Sequence, residues 1–160
     1  MKLHVACIGK LKTGPEKALA DDYQKRITRL CRSAGLKGYT LHEGVESQRP
    51  TVSGRMTEEA AYLAQCTPPG SIVVALDGRG TSLTSENFAD LIRKYADAGQ
   101  TNLVFCIGGP DGHDPAFRNT ARHTMALGTM TWPHRLVRIM LLEQIYRAIT
   151  ILTNHPYHRG

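Results

Sequence analysis

The sequence predicts an α/β protein with a mostly parallel sheet flanked by helices. Three short apolar segments predict buried strands, each followed by a glycine-containing turn and a helical pattern: Ser71 to Leu76, Leu103 to Ile107 and His123 to Leu127. Strands buried on both faces form continuous apolar runs, and their alternation with helices favours parallel pairing. Because the 160 residues contain no internal repeat, linker or low-complexity segment, we expect one domain over residues 1–160.

The first half of the chain is less regular, but it predicts the same kinds of element. The predicted order is strand, basic amphipathic helix, strand, loop and short helix, over Leu3 to Ile8, Glu16 to Arg32, Tyr39 to His42, Glu43 to Gly54 and Glu58 to Gln65. Pro15 precedes the first helix, where its fixed backbone angle suits the first helical position. Pro68 and Pro69 end the second helix. We therefore expect two further strands in the sheet.

Two helices join the three apolar strands. One runs from about Ser85 to Ala98, and the other begins after Asp114 and ends near Arg122. An aspartate is a good N-cap because its carboxylate accepts free backbone amides, and Pro115 fits the first helical position behind it. The start of the second helix is therefore well defined by the sequence.

A long apolar helix follows the third strand, within the segment MALGTMTWPHRLVRIMLLEQIY from Met125 to Tyr146. Pro133 predicts the first helical position, and Thr131 just before it is suited to cap the free amides. The pattern then continues for about five helical turns. A small loop with hydroxyl groups thus leads into a buried helix.

The apolar residues of this helix fall on both of its sides. One side carries His134, Arg138, Leu141, Leu142, Ile145, Ala148, Ile149 and Leu152, and the other carries Leu136, Ile139 and Met140 together with Glu143 and Arg147. A helix that is apolar on both sides is buried on both or lies in lipid, and the charged residues interrupt the run well short of the roughly 18 apolar residues of a membrane span. We predict that one face lies in the core and the other in a homodimer interface.

Charge and cysteine content indicate the compartment and the class of partner. The formal net charge is +6, and basic residues are concentrated in the first third of the chain. Such a surface attracts an acidic partner such as RNA, although a solvated basic surface explains the charge equally well. The four cysteines form no CxxC pair, and the N-terminus lacks the apolar core of a signal peptide. We expect reduced thiols, no membrane association and a cytoplasmic location.

Three loops predict the ligand site. The segments LDGRG (76–80), GGPDG (108–112) and LGTMTW (127–132) follow the three apolar strands, and an open α/β sheet binds its ligand at the carboxyl ends of its strands. Glycines allow the backbone to approach a ligand closely. The segments match neither GxGxxG nor GxxxxGK[ST], so the dinucleotide and P-loop interpretations fail.

Other polar clusters each have a structural explanation. His155 and His158 lack a third ligand at metal-binding spacing, so we expect no metal. Glu143 and Arg147 have the i, i+4 spacing of a helical ion pair, which is a simpler explanation than catalysis. The polar, aromatic and cationic end of the chain, with Tyr157, could be a frayed terminus or a surface that stacks on RNA.

Four segments together resemble a known family. LDGRGTSLTSENFA, FCIGGPDG, LGTMTWPHRLVRIMLLEQIYRA and the terminal NHPYHRG resemble the RlmH family of SPOUT-class methyltransferases, over essentially the whole chain. This family methylates N3 of a pseudouridine in helix 69 of bacterial 23S rRNA. The resemblance implies a SPOUT-type fold with a C-terminal trefoil knot, an obligate homodimer, S-adenosylmethionine as methyl donor, and action on the assembled 70S ribosome. Periodicity and composition do not predict the knot.

The resemblance also implies positions for the methyl donor. Carried over by position, the donor-binding residues are Leu76, Gly108, Leu127, Gly128, Thr129, Met130, Thr131 and Trp132. These residues lie in the three loops identified above. Because the family varies after Leu127, we expect backbone groups rather than side chains of the next residues to contact the donor.

Methylation of a pseudouridine imide requires alignment and stabilisation of developing negative charge. We expect Tyr157, His158 and Arg159 to form the target side of the site, and Arg138 and Glu143 to position the last helix or the substrate. Two alternatives remain open, namely another SPOUT enzyme acting on a different RNA and a non-catalytic ribosome-binding protein.

Overall fold

Five parallel strands form one sheet, in the order β2-β1-β4-β3-β5. The computed structural model describes residues 1–158. The strands are β1 (Lys2–Ile8), β2 (Gly38–Gly44), β3 (Ile72–Ser82), β4 (Asn102–Ile107) and β5 (His123–Ala126). The helices are α1 (Pro15–Leu30), α2 (Val52–Gln65), α3 (Ser85–Asp97), α4 (Pro115–Thr120) and α5 (His134–Leu152), with a 3-10 helix at Cys31–Ala34. The predicted α/β class with a parallel sheet is confirmed.

Helices cover both faces of the sheet. Alternate residues of β1 point to opposite faces, so Leu3, Val5 and Cys7 pack with α1, α3 and α5, whereas Ala6 and Ile8 pack with α2 and α4. The apolar runs of β1, β3 and β4 are buried because each has a helical layer on both sides.

Most predicted boundaries hold, and the exceptions have local causes. Helix α2 begins at Val52, not near Glu58, because the Thr51 hydroxyl accepts the amide of Gly54 at 3.1 Å and starts the helix early. The predicted loop from Glu43 to Gly54 is correspondingly short. Helix α4 ends at Thr120, two residues before the predicted end, because the next residue is extended.

The start of α5 also differs from the prediction. Pro133 is the N-cap residue rather than the first helical residue, with extended angles of φ −56° and ψ 136°, and among the described residues no side chain caps the helix. The predicted cap by Thr131 is therefore wrong. The Pro133 carbonyl instead accepts the amides of Leu136 and Val137, at 2.9 and 3.0 Å, so the backbone makes the first turn.

Helix α5 lies between α1 and α3 on the sheet, and this arrangement tests the two-sided prediction. Its predicted core face is buried, with Leu141, Leu142 and Ile145 fully inaccessible. On the other side Leu136 is exposed, but Ile139 is only 8% exposed because it packs in the core of its own chain. Ile139 is therefore covered mainly by its own chain, although it also lines a groove between α1, α3 and α5 together with Met140.

No helix in the described range of residues is long and apolar enough to cross a membrane. The cysteines Cys7, Cys31, Cys66 and Cys106 are all free thiols, and burial raises the pKa of Cys7 and of Cys106 to about 12. These two thiols are therefore inert core side chains, as their position in apolar strands predicts.

Candidate active site

The three predicted loops meet at the carboxyl edge of the sheet and line one cavity of about 450 Å³. Its lining includes all eight predicted donor-binding residues: Leu76, Gly108, Leu127, Gly128, Thr129, Met130, Thr131 and Trp132. The buried side chains of Leu76, Ile107 and Met125 contribute apolar surface. The loops add backbone groups around this surface, so the cavity suits a ligand with both an apolar and a hydrogen-bonding part.

The first loop is a four-residue excursion within β3. In the pairing of β3 with β5, Met125 is opposite Leu76 and again opposite Thr81, so the residues from Asp77 to Gly80 leave the sheet. The Asp77 carboxylate binds Arg79 through its backbone amide and guanidinium, at 2.8 to 3.0 Å. These bonds hold the pKa of Asp77 far below its usual range, so the loop is held by an ionised carboxylate.

Helix α2 contacts the second loop, residues 108–112, through two charged side chains. Arg55 binds both carboxylate oxygens of Asp111, at 2.6 and 3.2 Å. Four residues further along the helix, Glu59 is only 4% exposed and accepts the amide of Ser47 at 3.0 Å. A Cβ added at Gly109 would lie 2.6 Å from the other oxygen of Glu59, so any larger residue would displace the Glu59 carboxylate. Residues on one face of α2 thus fix the position of the loop.

The buried side chain of His113 joins the ends of two strands beneath the cavity. Its Nε2 lies 3.1 Å from the carbonyl oxygen of Leu76 and 3.2 Å from that of Cys106. Because both partners only accept, Nε2 carries the proton and donates. Burial lowers the pKa of His113, so the ring is neutral and ties β3 to β4 without introducing a charge.

The sequence interpretation missed the residues that support the loops, namely Arg55, Glu59, Asp77 and His113. The i, i+4 spacing of Arg55 and Glu59 places them on one helical face, and this signal is available in the sequence. The contact of Arg55 with Asp111, which is 56 residues further along the chain, cannot be inferred from the sequence.

The third loop exposes large side chains beside the cavity. Met130 is 70% exposed and Trp132 is 39% exposed, and the indole Nε1 donates to the carbonyl of Leu127 at 3.2 Å. Gly128 has a φ of +93°, a left-handed conformation that glycine adopts without strain. The third loop therefore folds back toward Leu127, and its residues line the cavity.

Arg138 is buried and links α5 to the carboxyl ends of β1 and β2, at the same edge of the sheet as the cavity. Its guanidinium pairs with Glu43 at 2.5 Å, donates to the carbonyl of Gly9, and is 2% exposed. Glu43 also accepts the amide of Leu11 at 3.2 Å. The sequence predicts that Arg138 positions either the last helix or the substrate. Its contacts favour positioning of the helix, because its guanidinium lies in the interior.

Glu143 is the centre of a polar cluster on α5. It forms the predicted ion pair with Arg147 at 2.6 Å, and it accepts bonds from Gln144 at 2.7 Å and from the Tyr157 hydroxyl at 3.1 Å. The Tyr157 ring packs edge-on against Tyr146. Burial raises the pKa of Tyr157, so its hydroxyl remains protonated and acts as a donor.

The C-terminal residues lie next to a second, apolar groove rather than in the first cavity. His158 contacts Glu86 of α3 at 3.3 Å, while Arg159 lies outside the described residues. The groove has a volume of about 410 Å³ between α1, α3 and α5, and Glu143 and Gln144 form its polar end. The two cavities share the lining residues from Met125 to Gly128. Neither Tyr157 nor His158 lines the first cavity of its own chain.

Replacing Glu59 with alanine is expected to loosen the second loop. The change leaves the buried Ser47 amide without its acceptor and removes the side chain beneath Gly109, so we expect a loss of about 2 kcal/mol of stability. Amide hydrogen exchange in residues 108–112 should accelerate more than the average over the sheet. The neighbouring Glu58→Ala is the control, because Glu58 is more exposed and binds only the Ser47 hydroxyl and Arg49. Equal effects of the two changes would contradict this role.

The parallel sheet and the loop cavity at its carboxyl edge define an α/β protein with a small-molecule site. Comparison with known proteins identifies the particular family. Residues 1–158 match the family model described as predicted SPOUT methyltransferase, and the chain belongs to this family. No cluster of three or more metal-ligating side chains occurs in the part of the chain that the structure describes.

Curated relatives match over the full length of the chain. The ribosomal RNA large subunit methyltransferase H of Nitrobacter hamburgensis is 48% identical, with 100% of both chains covered. The protein of the same name from Rhodopseudomonas palustris strain BisB5 is also 48% identical over 100% of both chains. A probable methyltransferase from Bordetella pertussis Tohama I has a similar fold, with a TM-score of 0.52 at 10% identity over 92% of this chain and 95% of that one. The predicted family and enzyme class are therefore confirmed.

Proposed function

We propose that this chain methylates N3 of a pseudouridine in helix 69 of 23S rRNA, using S-adenosylmethionine, in the assembled 70S ribosome of the cytoplasm. The observation that carries the proposal is the single cavity lined by all three loops, in a chain that belongs to the SPOUT methyltransferases. The name of the full-length relatives, ribosomal RNA large subunit methyltransferase H, supports rRNA of the large subunit as substrate. The base, the atom and the ribosomal context come from the family resemblance.

The residues of the cavity fit S-adenosylmethionine. Backbone groups from Leu127 to Trp132 and at Gly108 would hold its polar groups, and the apolar side chain of Leu76 would pack against it. A Cβ added at Gly108 would lie 2.9 Å from the backbone of Gly112, so the close approach of these two loop ends requires glycine. When bound, S-adenosylmethionine supplies an electrophilic methyl group on a sulfonium that is also the leaving group.

Methyl transfer requires the protein to align the methyl donor with the target base and to stabilise the negative charge that develops on the imide. The bonds of Arg55 to Asp111 and of Asp77 to Arg79 fix two of the three loops, which favours a fixed orientation of the donor. On the target side, the imide loses a proton and develops negative charge, which a nearby cation stabilises. We assign that role to His158 and Arg159, with Tyr157 packing on the nucleotide and Glu143 holding the Tyr157 hydroxyl.

Pairing of two copies would bring the tail to a donor cavity. The groove between α1, α3 and α5 is bordered by exposed apolar side chains, including Leu19 at 44% and Leu83 at 37% exposure. Leu136, at 39% exposure, lies one turn before Met140 of the groove. An apolar surface of this kind on a domain this small fits a homodimer interface. We therefore propose that the active enzyme is a homodimer and that a partner subunit completes the target side of the site.

Leu136→Asp is expected to separate the dimer. A carboxylate on this face would be desolvated in the interface, whereas it remains hydrated in a single chain. Analytical ultracentrifugation should give a dimer for the wild type and a monomer for the variant, which should lose methylation. Val52→Asp is the control, because Val52 is similarly exposed but lies at the start of α2 in the other layer. A wild-type protein that is active as a monomer would overturn the dimer.

The direct test of function is a map of methylated nucleotides in ribosomal RNA from cells with and without this gene. Loss of one methylated pseudouridine in helix 69 is the expected result, and its restoration by the wild-type gene completes the test. Loss of a methyl group elsewhere would instead support another SPOUT activity. Titration with S-adenosylmethionine separates both enzymes from a non-catalytic ribosome-binding protein, which has no reason to bind it.

A further inference from the structure

A third groove lies at the edge of the sheet, next to the donor cavity. It has a volume of about 500 Å³ and lies between the excursion of β3, helix α3 and the edge strand β5. Its lining includes Arg79, Arg122 and His123, and it shares Arg79 and Met125 with the cavity lined by the three loops. A molecule bound in this groove would therefore extend directly to the donor site.

Cations without acidic partners line and border this groove. Arg122 and Lys94 are exposed, and neither forms an ion pair with any residue in the described part of the chain. Arg122 lines the groove next to His123, and Lys94 lies one helical turn after Leu91, which lines the groove from α3. The His123 ring is fixed by the hydroxyl of Tyr95 at 2.6 Å. These two cations are therefore available for an external anion.

Two of the three nearby acidic side chains are already paired. Asp77 binds Arg79 at 2.8 Å and lies 3.6 Å from Arg118, while Asp90 on α3 binds Arg93 at 2.5 Å. Asp97, three residues after Lys94, forms no ion pair in the described part of the chain, so these three acids are outnumbered by Arg79, Arg93, Arg118 and Arg122 together with Lys94. The Arg79 side chain is 70% exposed despite its bond to Asp77, so part of its guanidinium remains open to solvent. The local charge is positive.

The neutral lining is also suited to a polyanion. Asn87 of α3 and the hydroxyl residues Thr81 and Thr124 line the groove between the cations. Amide and hydroxyl groups donate to phosphate and sugar oxygens, and arginine matches the geometry of a phosphate with two parallel bonds. Protein contacts of this type position a nucleic acid without reading its sequence.

We propose that this edge groove binds the sugar–phosphate backbone of the RNA substrate beside the target nucleotide. The inference rests on the proposed function and adds the surface by which the substrate reaches the donor site. Arg122 and Lys94 contact phosphates, and Arg79, which lines both cavities, lies where the backbone passes from the groove to the donor site. The RNA is bound as an unpaired or loop segment, since the target base must leave any stack to reach the donor.

The test is the double variant Lys94→Gln/Arg122→Gln, which removes two positive charges from the groove and leaves the donor cavity unchanged. The probe is the 70S ribosome from cells without this gene, with binding measured at several salt concentrations and a fixed Mg²⁺ concentration. Loss of each phosphate contact lowers the number of counterions that are released when the protein binds RNA. The slope of log K against log salt should therefore decrease in magnitude by about 1.5 in total. Affinity at physiological salt should fall on the order of tenfold. Titration with S-adenosylmethionine should give the wild-type dissociation constant, which also establishes that the variant is folded.

The matched control is Lys25→Gln/Arg29→Gln on the exposed side of α1, which removes the same charge from another surface. A larger loss of RNA affinity and salt slope in the groove variant supports the proposal. Equal losses in the two variants, or a wild-type affinity and slope in the groove variant, would overturn it. A wild-type protein that methylates no ribosomal RNA would instead refute the proposed function, so the two failures are distinguishable.

Discussion

Removal of residues 157–160 is expected to reduce methylation of the RNA at least about 100-fold while leaving the affinity for S-adenosylmethionine nearly unchanged. Tyr157 and His158 contact Glu143 and Glu86 on the side of the apolar groove, and neither lines the donor cavity of its own chain. The donor should therefore bind normally, whereas the target imide loses its cations. Single-turnover methylation and donor titration on the same preparation measure the two effects.

The control for the truncation is removal of Gly160 alone, which retains all three proposed target-side residues and should retain activity. Tyr157→Phe divides the effect further, because it keeps the ring against Tyr146 and removes the hydroxyl bond to Glu143. If the protein without residues 157–160 methylates RNA at a rate near that of the wild type, the tail has no role in catalysis.

Arg138→Ala is expected to cause a large loss of stability, about 3–5 kcal/mol. Its side chain is 2% exposed, and its removal leaves the Gly9 carbonyl without this donor and the Glu43 carboxylate without its cation, with the Leu11 amide as the remaining donor to Glu43. For a domain of this size, the melting temperature should fall by about 10 °C or more. Chemical denaturation with an unchanged m-value measures the effect.

Arg93→Ala is the matched control for this substitution, because Arg93 pairs with Asp90 at the same distance of 2.5 Å on an exposed surface. Such pairs contribute little, so the control should lose only a small fraction of what Arg138→Ala loses. Arg138→Lys separates charge from geometry, since lysine keeps the charge but cannot donate to Glu43 and Gly9 as a fork. A small effect of Arg138→Ala would mean that the buried pair does not anchor the helix.

The arrangement of the loops explains why the cavity at the carboxyl edge was predictable. Glycine turns after short apolar strands are local features, and parallel strands bring their carboxyl ends together at one edge. The convergence of LDGRG, GGPDG and LGTMTW follows from these two facts, and the cavity lined by all three loops confirms it. The family resemblance then added the ligand, which the pattern alone does not specify.

The residues that hold these loops were not predictable, because each acts across a long separation in sequence. Arg55 and Asp111 are 56 residues apart, and Arg138 and Gly9 are 129 residues apart. Nothing in the local sequence distinguishes the buried Glu59 from the more exposed Glu58. The trefoil knot likewise remains a prediction from the resemblance, since a path through a loop has no local signal.

The sequence by itself determined the class of fold, the order of its elements and the three loops that line the cavity, because these depend on residue type and short-range periodicity. The family followed from the resemblance of four segments. Only the tertiary structure decided which side chains of α5 are free, since Leu136 is exposed whereas Ile139 packs in the core of its own chain. It also decided that Arg138 is an interior anchor and that Arg122 and Lys94 lie at one edge groove. These outcomes depend on which elements pack together, and packing is set by the whole chain rather than by any segment.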